Sequence, residues 1–286
     1  MRERKRRMKI LIIAILFIIV IFIFSIWQNN SIVISNFNYL SPEIPKDFND
    51  FKIVQISDLH NKVFGKEQEK LIEKVESLSP DIIVITGDMI DRRRYNLENA
   101  MYFVDEAVKI APIYYVSGNH EAWSYKYSEV RNKLIKAGVN IIDDERIAIK
   151  KNNSIINILG LSDPAFVTSS YLNETDTSKI EENLLNWASL ESFKILLSHR
   201  PELVDLYSSS NMDIVFSGHA HGGQIRIPFI GGLIAPNQGF FPKYTSGSYN
   251  SDNTTMFVSR GLGNSLFPIR IFNRPEIISV TLKVSK

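Results

Sequence analysis

Five short apolar runs in this chain stop at a histidine or at an aspartate or asparagine, and that recurrence narrows the possible folds sharply. Phe51 to Ile56 leads into Asp58-Leu59-His60, and Asp81 to Thr86 leads into Gly87-Asp88. Ile113 to Val116 leads into Ser117-Gly118-Asn119-His120-Glu121, and Ile195 to Ser198 leads into His199. Ile214-Val215-Phe216 leads into Ser217-Gly218-His219-Ala220-His221-Gly222-Gly223-Gln224. These runs account for all five histidines of the chain. Runs of this kind read as buried strands.

Between them lie stretches with helical spacing. Lys66 to Ser79 carries Leu71, Ile72, Val75 and Leu78 on one face, and Asn96 to Ile110 carries Met101, Val104 and Val108. Ser128 to Ala137 reads as a helix closed by Gly138, and Thr177 to Leu190 as another. Ile141 to Gly160 reads as two antiparallel strands turning at Lys151-Asn152-Asn153, and Phe193 to Ser198 and Met212 to Ser217 as single strands. Beyond Ile225 helical periodicity ends. Ile225-Arg226-Ile227, Thr255 to Ser259, Ile269-Arg270-Ile271 and Ile277 to Val284 read as further strands. Strands alternating with helices predict an α/β domain with helices covering the sheets. In such folds ligands bind beyond the carboxyl ends of strands, where every polar cluster lies.

The N-terminus is different in kind. Met1 to Lys9 is strongly basic, and Ile10 to Trp27 is apolar apart from Ser25. A run of ~18 such residues is about the minimum for a membrane span. Trp27 would lie at the interface. A cleaved signal peptide would want a shorter apolar core and a small-x-small site, which Phe24-Ser25-Ile26-Trp27-Gln28-Asn29 lacks. The expectation is a basic flank at 1–9, a retained anchor at 10–27, a tether at 28–50 with room for one edge strand, and one domain over 51–286. Six Lys and Arg residues precede the span and none lies between Gln28 and Pro45. The positive-inside rule therefore predicts a single-pass protein of the cell membrane, its N-terminus cytoplasmic and its domain outside. The net charge of +2 comes from that flank, so no nucleic-acid partner is expected.

Cysteine is absent, so a metal here would have nitrogen and oxygen ligands, a donor set that suits Mn, Fe or Zn. Any one of these residues reads equally as a satisfied core histidine or a turn aspartate. Together, Asp58, His60, Asp88, Asn119, His120, Glu121, His199, His219 and His221 argue for a site, with Asp91 a weaker member. They suffice for two divalent ions sharing one carboxylate, ~3.5–4 Å apart, which clamp a phosphoryl group for in-line attack.

In this order, the clusters resemble those of the calcineurin-like metallophosphoesterases, from about Phe51 to Val284. The resemblance implies a fold of two stacked sheets flanked by helices (α/β/β/α). It implies one ion on Asp58, His60, Asp88 and His221 and another on Asp88, Asn119, His199 and His219. It implies that His120 protonates the leaving oxygen or steadies the phosphoryl charge, with Glu121 orienting it. Arg92, in Arg92-Arg93-Arg94, and Gln224 are the candidate substrate contacts; the arginine run also reads as a solvated loop. His199-Arg200-Pro201-Glu202, His221-Gly222-Gly223-Gln224, Ser259-Arg260-Gly261-Leu262-Gly263 and Pro275-Glu276-Ile277 are similar to a membrane-anchored, YkuE-like branch, which is associated with UDP-2,3-diacylglucosamine hydrolases. The expected activity is hydrolysis of a phosphate monoester, diester or pyrophosphate, with lipid-linked and nucleotide-linked lipid substrates among the options. An exported domain would not meet a cytoplasmic nucleotide-linked lipid. A membrane adaptor that keeps the fold without activity is the non-enzyme alternative, and a nuclease would want a basic groove. Ile225 to Tyr244, rich in Ile, Phe, Gly and Pro, reads first as a hairpin packing on the core. Its other reading is an apolar rim that accepts a lipid tail or touches the bilayer.

Overall fold

A computed structural model describes residues 2–168, 175–264 and 269–285. Helix α1 (Arg2–Asn30) leads into strand β1 (Val33–Ser41). Strands β2 (Lys52–Ile56), β3 (Ile82–Thr86), β4 (Ile113–Val116) and β5 (Asn140–Ile141) follow, with α2 (Glu69–Ser77), α3 (Leu97–Ile110), α4 (Asn119–Trp123) and α5 (Tyr127–Ala137) between them. Next come β6 (Arg146–Lys151), β7 (Ser154–Gly160), α6 (Ser178–Ala188), β8 (Phe193–Leu197), α7 (Val204–Ser209) and β9 (Ile214–Ser217). Two small ribbons follow: β10 (Arg226–Ile227) with β11 (Gly231–Gly232), and β12 (Ile234–Ala235) with β13 (Gly239–Phe240). The last strands are β14 (Gly247–Ser251), β15 (Thr254–Val258) and β16 (Glu276–Val284).

The main strands form two six-stranded sheets, ordered β1-β16-β2-β3-β4-β5 and β14-β15-β9-β8-β7-β6. In the first, β2 to β5 run parallel; in the second, β15, β9, β8 and β7 do. Both faces of each central strand are buried, and this is why the runs read as continuously apolar. Along β3, Ile83 and Ile85 pack toward α2, α3 and α5, whereas Ile82 and Val84 pack into the layer between the sheets. Each such side chain contributes ~1.5–3 kcal/mol by leaving water. Ile195, Leu197, Ile214 and Phe216 supply the other half of that middle layer. Leu196 and Val215 face a third cluster with α6 and α7. The expected α/β/β/α sandwich is what forms.

Several local boundaries moved for physical reasons. Helix α2 starts at Glu69 rather than Lys66, because Glu67 and Gln68 take left-handed backbone angles (φ 48° and 69°). The buried Gln68 side chain pins that turn by accepting from Phe64 N–H and donating to the Lys62 and Asn99 carbonyls. Gly138 (φ +96°) ends α5, as a C-terminal glycine should. The stretch read as a tether begins as helix and then supplies β1, which pairs in parallel with β16 along its whole length. The strand expected at Ile269 to Ile271 is reduced to one backbone bridge, between Ile225 and Ile271. The hairpin expected to cover the core does so only in part: Ala235 joins the core, but Phe229, Ile230, Phe240 and Phe241 are exposed.

Candidate metal centre

Strands β2, β3, β4, β8 and β9 deliver their C-terminal turns to one edge of the sandwich. Asp58, His60, Asp88, His219 and His221 all sit there with left-handed backbones (φ 52°, 46°, 54°, 64° and 47°). A non-glycine residue held so costs about 1–3 kcal/mol, and such residues gather at functional sites. The glycines beside them allow the turns to close. A Cβ on Gly118 would lie 2.3 Å from Asp88 Oδ1, and one on Gly218 would lie 2.0 Å from Ser57 Oγ.

The side chains converge in two groups. His60 Nε2 lies 3.1 Å from His221 Nε2, and His221 Nε2 lies 3.3 Å from Asp58 Oδ1. His199 Nε2 lies 3.2 Å from both Asn119 Oδ1 and His219 Nδ1. Asp88 Oδ2 belongs to both groups, 3.5 Å from His60 Nε2 and 3.4 Å from His199 Nε2. Its other oxygen is used elsewhere, accepting the His120 N–H at 2.7 Å. All seven side chains are buried.

Hydrogen bonds behind the rings set their faces. His199 Nδ1–H donates to the Thr86 carbonyl at 2.6 Å, which turns Nε2 toward Asp88 and Asn119. His219 Nε2–H donates to Asn237 Oδ1 at 3.0 Å, which leaves Nδ1 facing His199. Asn237 is itself held by Arg200, whose guanidinium also clasps Asp163 through two nitrogens. His60 Nδ1 and His221 Nδ1 have no hydrogen-bond partner among the described residues.

The electrostatics call for positive charge. Burial pushes Asp58 up to about 6 and holds His60 and His219 well below the usual imidazole range. Burial, helped by the Arg270 charge, takes His221 down to about 3. These three imidazoles therefore present lone pairs. Burial also pulls on His199, but the charge of Asp88 and their hydrogen bond outweigh it and push His199 up to about 10. A buried carboxylate with no compensating charge costs several kcal/mol. Converging imidazole and carboxylate donors around buried acids fit cations bound between them.

His120 stands over this centre, its ring centroid 4.4 Å from that of His60. Its Nδ1 accepts the Arg92 backbone N–H at 3.2 Å, so the proton of the neutral ring is on Nε2. Glu121, expected to orient His120, is used otherwise. One of its oxygens accepts the N–H groups of Asp88 and Gly118 at 2.8 Å, and the other accepts those of Met89 and Ile90. It is a positioning residue that holds the Asp88 turn. The Arg92 guanidinium, expected at substrate, stacks on Trp123 at 4.6 Å. Gln224 lies at the turn after His221, its carbonyl accepting from Asn273. Asp91 caps the arginine run by accepting the Arg93 and Arg94 N–H groups, and its carboxylate lies near His60 and His120. Asn237 and Asp163 escaped the sequence reading, because neither lies in a periodic segment or beside a histidine.

A four-layer sandwich with such a centre at its strand ends defines a metal-dependent hydrolase of phosphate esters. Residues 51–223 match the family model described as calcineurin-like phosphoesterase, and the chain belongs to that family. An uncharacterized metallophosphoesterase of Campylobacter jejuni is 33% identical over 90% of this chain and 66% of its own length. The chain thus spans about two thirds of that relative. The uncharacterized metallophosphoesterase YkuE of Bacillus subtilis is 32% identical over 84% of this chain and 82% of its own length. UDP-2,3-diacylglucosamine pyrophosphatase LpxG of Chlamydia muridarum is more distant, at 26% identity over 88% of this chain and 91% of its own length. Among solved structures, the sulfate thiohydrolase SoxB of Thermus thermophilus shares the fold, with a TM-score of 0.50 at 12% identity over 84% of this chain and 57% of that one.

Proposed function

We propose that this chain is a membrane-tethered phosphoesterase working with two divalent transition-metal ions (Mn, Fe or Zn). Asp58, His60, Asp88 and His221 would hold one, and Asp88, Asn119, His199 and His219 the other. The observation that carries the reading is Asp88 Oδ2, which faces His60 and His199 at nearly equal distances. Bound there, the ions supply Lewis acidity toward a phosphoryl oxygen and lower the pKa of water. The chain's own residues do the rest. Thr86 and Asn237 fix the His199 and His219 rings, and Glu121 fixes the turn that carries Asp88. His120 Nε2–H would donate a hydrogen bond to the phosphoryl or departing ester oxygen and steady the charge that builds there. Arg92 and Gln224 would border the bound phosphate ester.

Helix α1 is long and apolar enough to cross a membrane, with 10–27 as the anchor, 28–50 as a link that also lends β1 to the first sheet, and 51–286 as the body of the catalytic domain. The basic flank supports a cytoplasmic N-terminus and an external domain. A phosphate ester carried on a lipid fits this attachment. The LpxG relative, named as a UDP-2,3-diacylglucosamine pyrophosphatase, favours a nucleotide-linked lipid instead. Elemental analysis of the purified chain should find close to two transition-metal ions, and Mn should activate hydrolysis of p-nitrophenyl esters. A metal-free protein that Mn does not activate would overturn the proposal. Protease added to intact spheroplasts decides sidedness. Digestion of the domain supports the external reading, and survival until lysis moves the nucleotide-linked lipid to first place.

A further inference from the structure

Helix α1 does not hang loosely from the domain. The Phe24 ring lies 5.7 Å from that of Phe272, and the Arg274 guanidinium covers Trp27 at 4.8 Å. Arg274 also donates to the Ser31 carbonyl and hydroxyl. Asn29 Oδ1 accepts from the Asn264 side chain and the Arg270 N–H, and the Asn29 carbonyl accepts from Lys62. The helix is thus a fixed extension of the domain, and its depth in a membrane sets the depth of whatever it touches. Phe24 lies three residues before Trp27, about 4.5 Å further into the bilayer at the helical rise. Phe272, against Phe24, is carried to that level.

Phe272 shares a cleft with Phe229 and Ile230. Phe229 is fully exposed, Ile230 is 65% exposed and Phe272 53%. Phe240 and Phe241 are likewise exposed on the neighbouring ribbon, where the Phe241 N–H bonds to the Leu233 carbonyl. Soluble monomers rarely leave such a patch open to water. Aromatic side chains with arginines beside them belong to the membrane–water interface, where cations meet anionic headgroups. We propose that the ribbons after His221 and the segment Ile269–Phe272 form a bilayer-contact face, inserted in the leaflet from which α1 emerges. The proposal rests on α1 spanning the membrane. The face is tied to the centre: Asn273 Nδ2 donates to the His221 and Gln224 carbonyls, and Arg226 donates to the Gly222 carbonyl. Seating on lipid therefore places the mouth of the centre at the headgroup layer.

The chain has no cysteine, so a single introduced thiol reports one place. Full-length Phe229→Cys, Phe272→Cys, Leu40→Cys and Ile18→Cys variants would carry an environment-sensitive fluorophore in vesicles of phosphatidylglycerol and phosphatidylethanolamine. Quenching by iodide is then compared with quenching by nitroxide-bearing lipid. Leu40 is exposed but lies seven residues along β1 from Val33, about 23 Å from the helix exit at the usual strand rise. The expected result is strong lipid quenching and severalfold weaker iodide quenching at 229 and 272, with the reverse at 40. Iodide access at 229 equal to that at 40, with Ile18 buried in lipid, overturns the contact face alone. No lipid quenching at Ile18 overturns the span and the face together. Shielding of 229 from both quenchers also overturns the proposal, because a protein then covers the patch.

Discussion

The two halves of the metal centre each bring two histidines to the shared Asp88, but they are not equally finished. His199 and His219 are each held from behind, by the Thr86 carbonyl and by Asn237 Oδ1, so their rings are oriented before anything arrives. His60 and His221 have no such support at Nδ1 among the described residues. They face each other across 3.1 Å and share a stacked contact. Partners behind a ring raise ligand basicity and fix its tautomer. The difference teaches that the His199 half is pre-organised, whereas the His60 half takes its shape largely from what it binds. His120 and the bilayer-facing ribbons both adjoin the less finished half.

The largest test attacks what the halves share. Asp88→Asn should remove both ions, so that elemental analysis falls from close to two per chain toward none and hydrolysis is lost with them. Retention of two ions would break the comparison at its root. His120→Ala should come next, slowing hydrolysis by ~10²–10⁴ while metal content stays normal. The loss should shrink for p-nitrophenolate, a leaving group that needs no proton. Equal slowing of good and poor leaving groups would show that His120 acts otherwise. Asn237→Ala should weaken one ion of the two by ~10–100-fold, read by competition with a chelator. If both ions weaken together, the halves are not separately built. The smallest effect is expected from Phe229→Glu combined with Ile230→Glu. Hydrolysis of a soluble p-nitrophenyl ester should not change, whereas hydrolysis of an ester presented in vesicles should fall.

Much of this arrangement was legible in the residues. The runs at Ile53–Ile56, Ile113–Val116 and Ile214–Phe216 announce strands buried on both faces, and the polar residues that follow can only lie at their ends. What was not legible comes from contacts with no local signature. Asn237 reaches His219 from a turn between two-residue strands, and Asp163 reaches Arg200 across 37 positions. Glu121 beside His120 invited a pairing, but four backbone N–H groups claim its carboxylate instead. The exposure of Phe229 and Phe241 was one of two readings the residues left open, and the other was favoured. Their composition is that of a core hairpin, and only the placement of Leu233 and Ala235 decides which side chains are left outside.

The pairing of β1 with β16 has a consequence for how the molecule comes into being. Val33 to Ser41 aligns with Glu276 to Val284, and β16 also separates β1 from β2. During synthesis β1 follows α1 at once. Yet β1 has no strand to pair with until some 240 further residues have been made. Contacts so far apart in sequence form late and slowly. A growing chain therefore holds β1 open, and the sheet closes only when β16 slides in between. Asp58, in the turn that follows β2 beside that gap, gains its final surroundings at the same moment. The fold thus ties the ripening of the site to the making of β16.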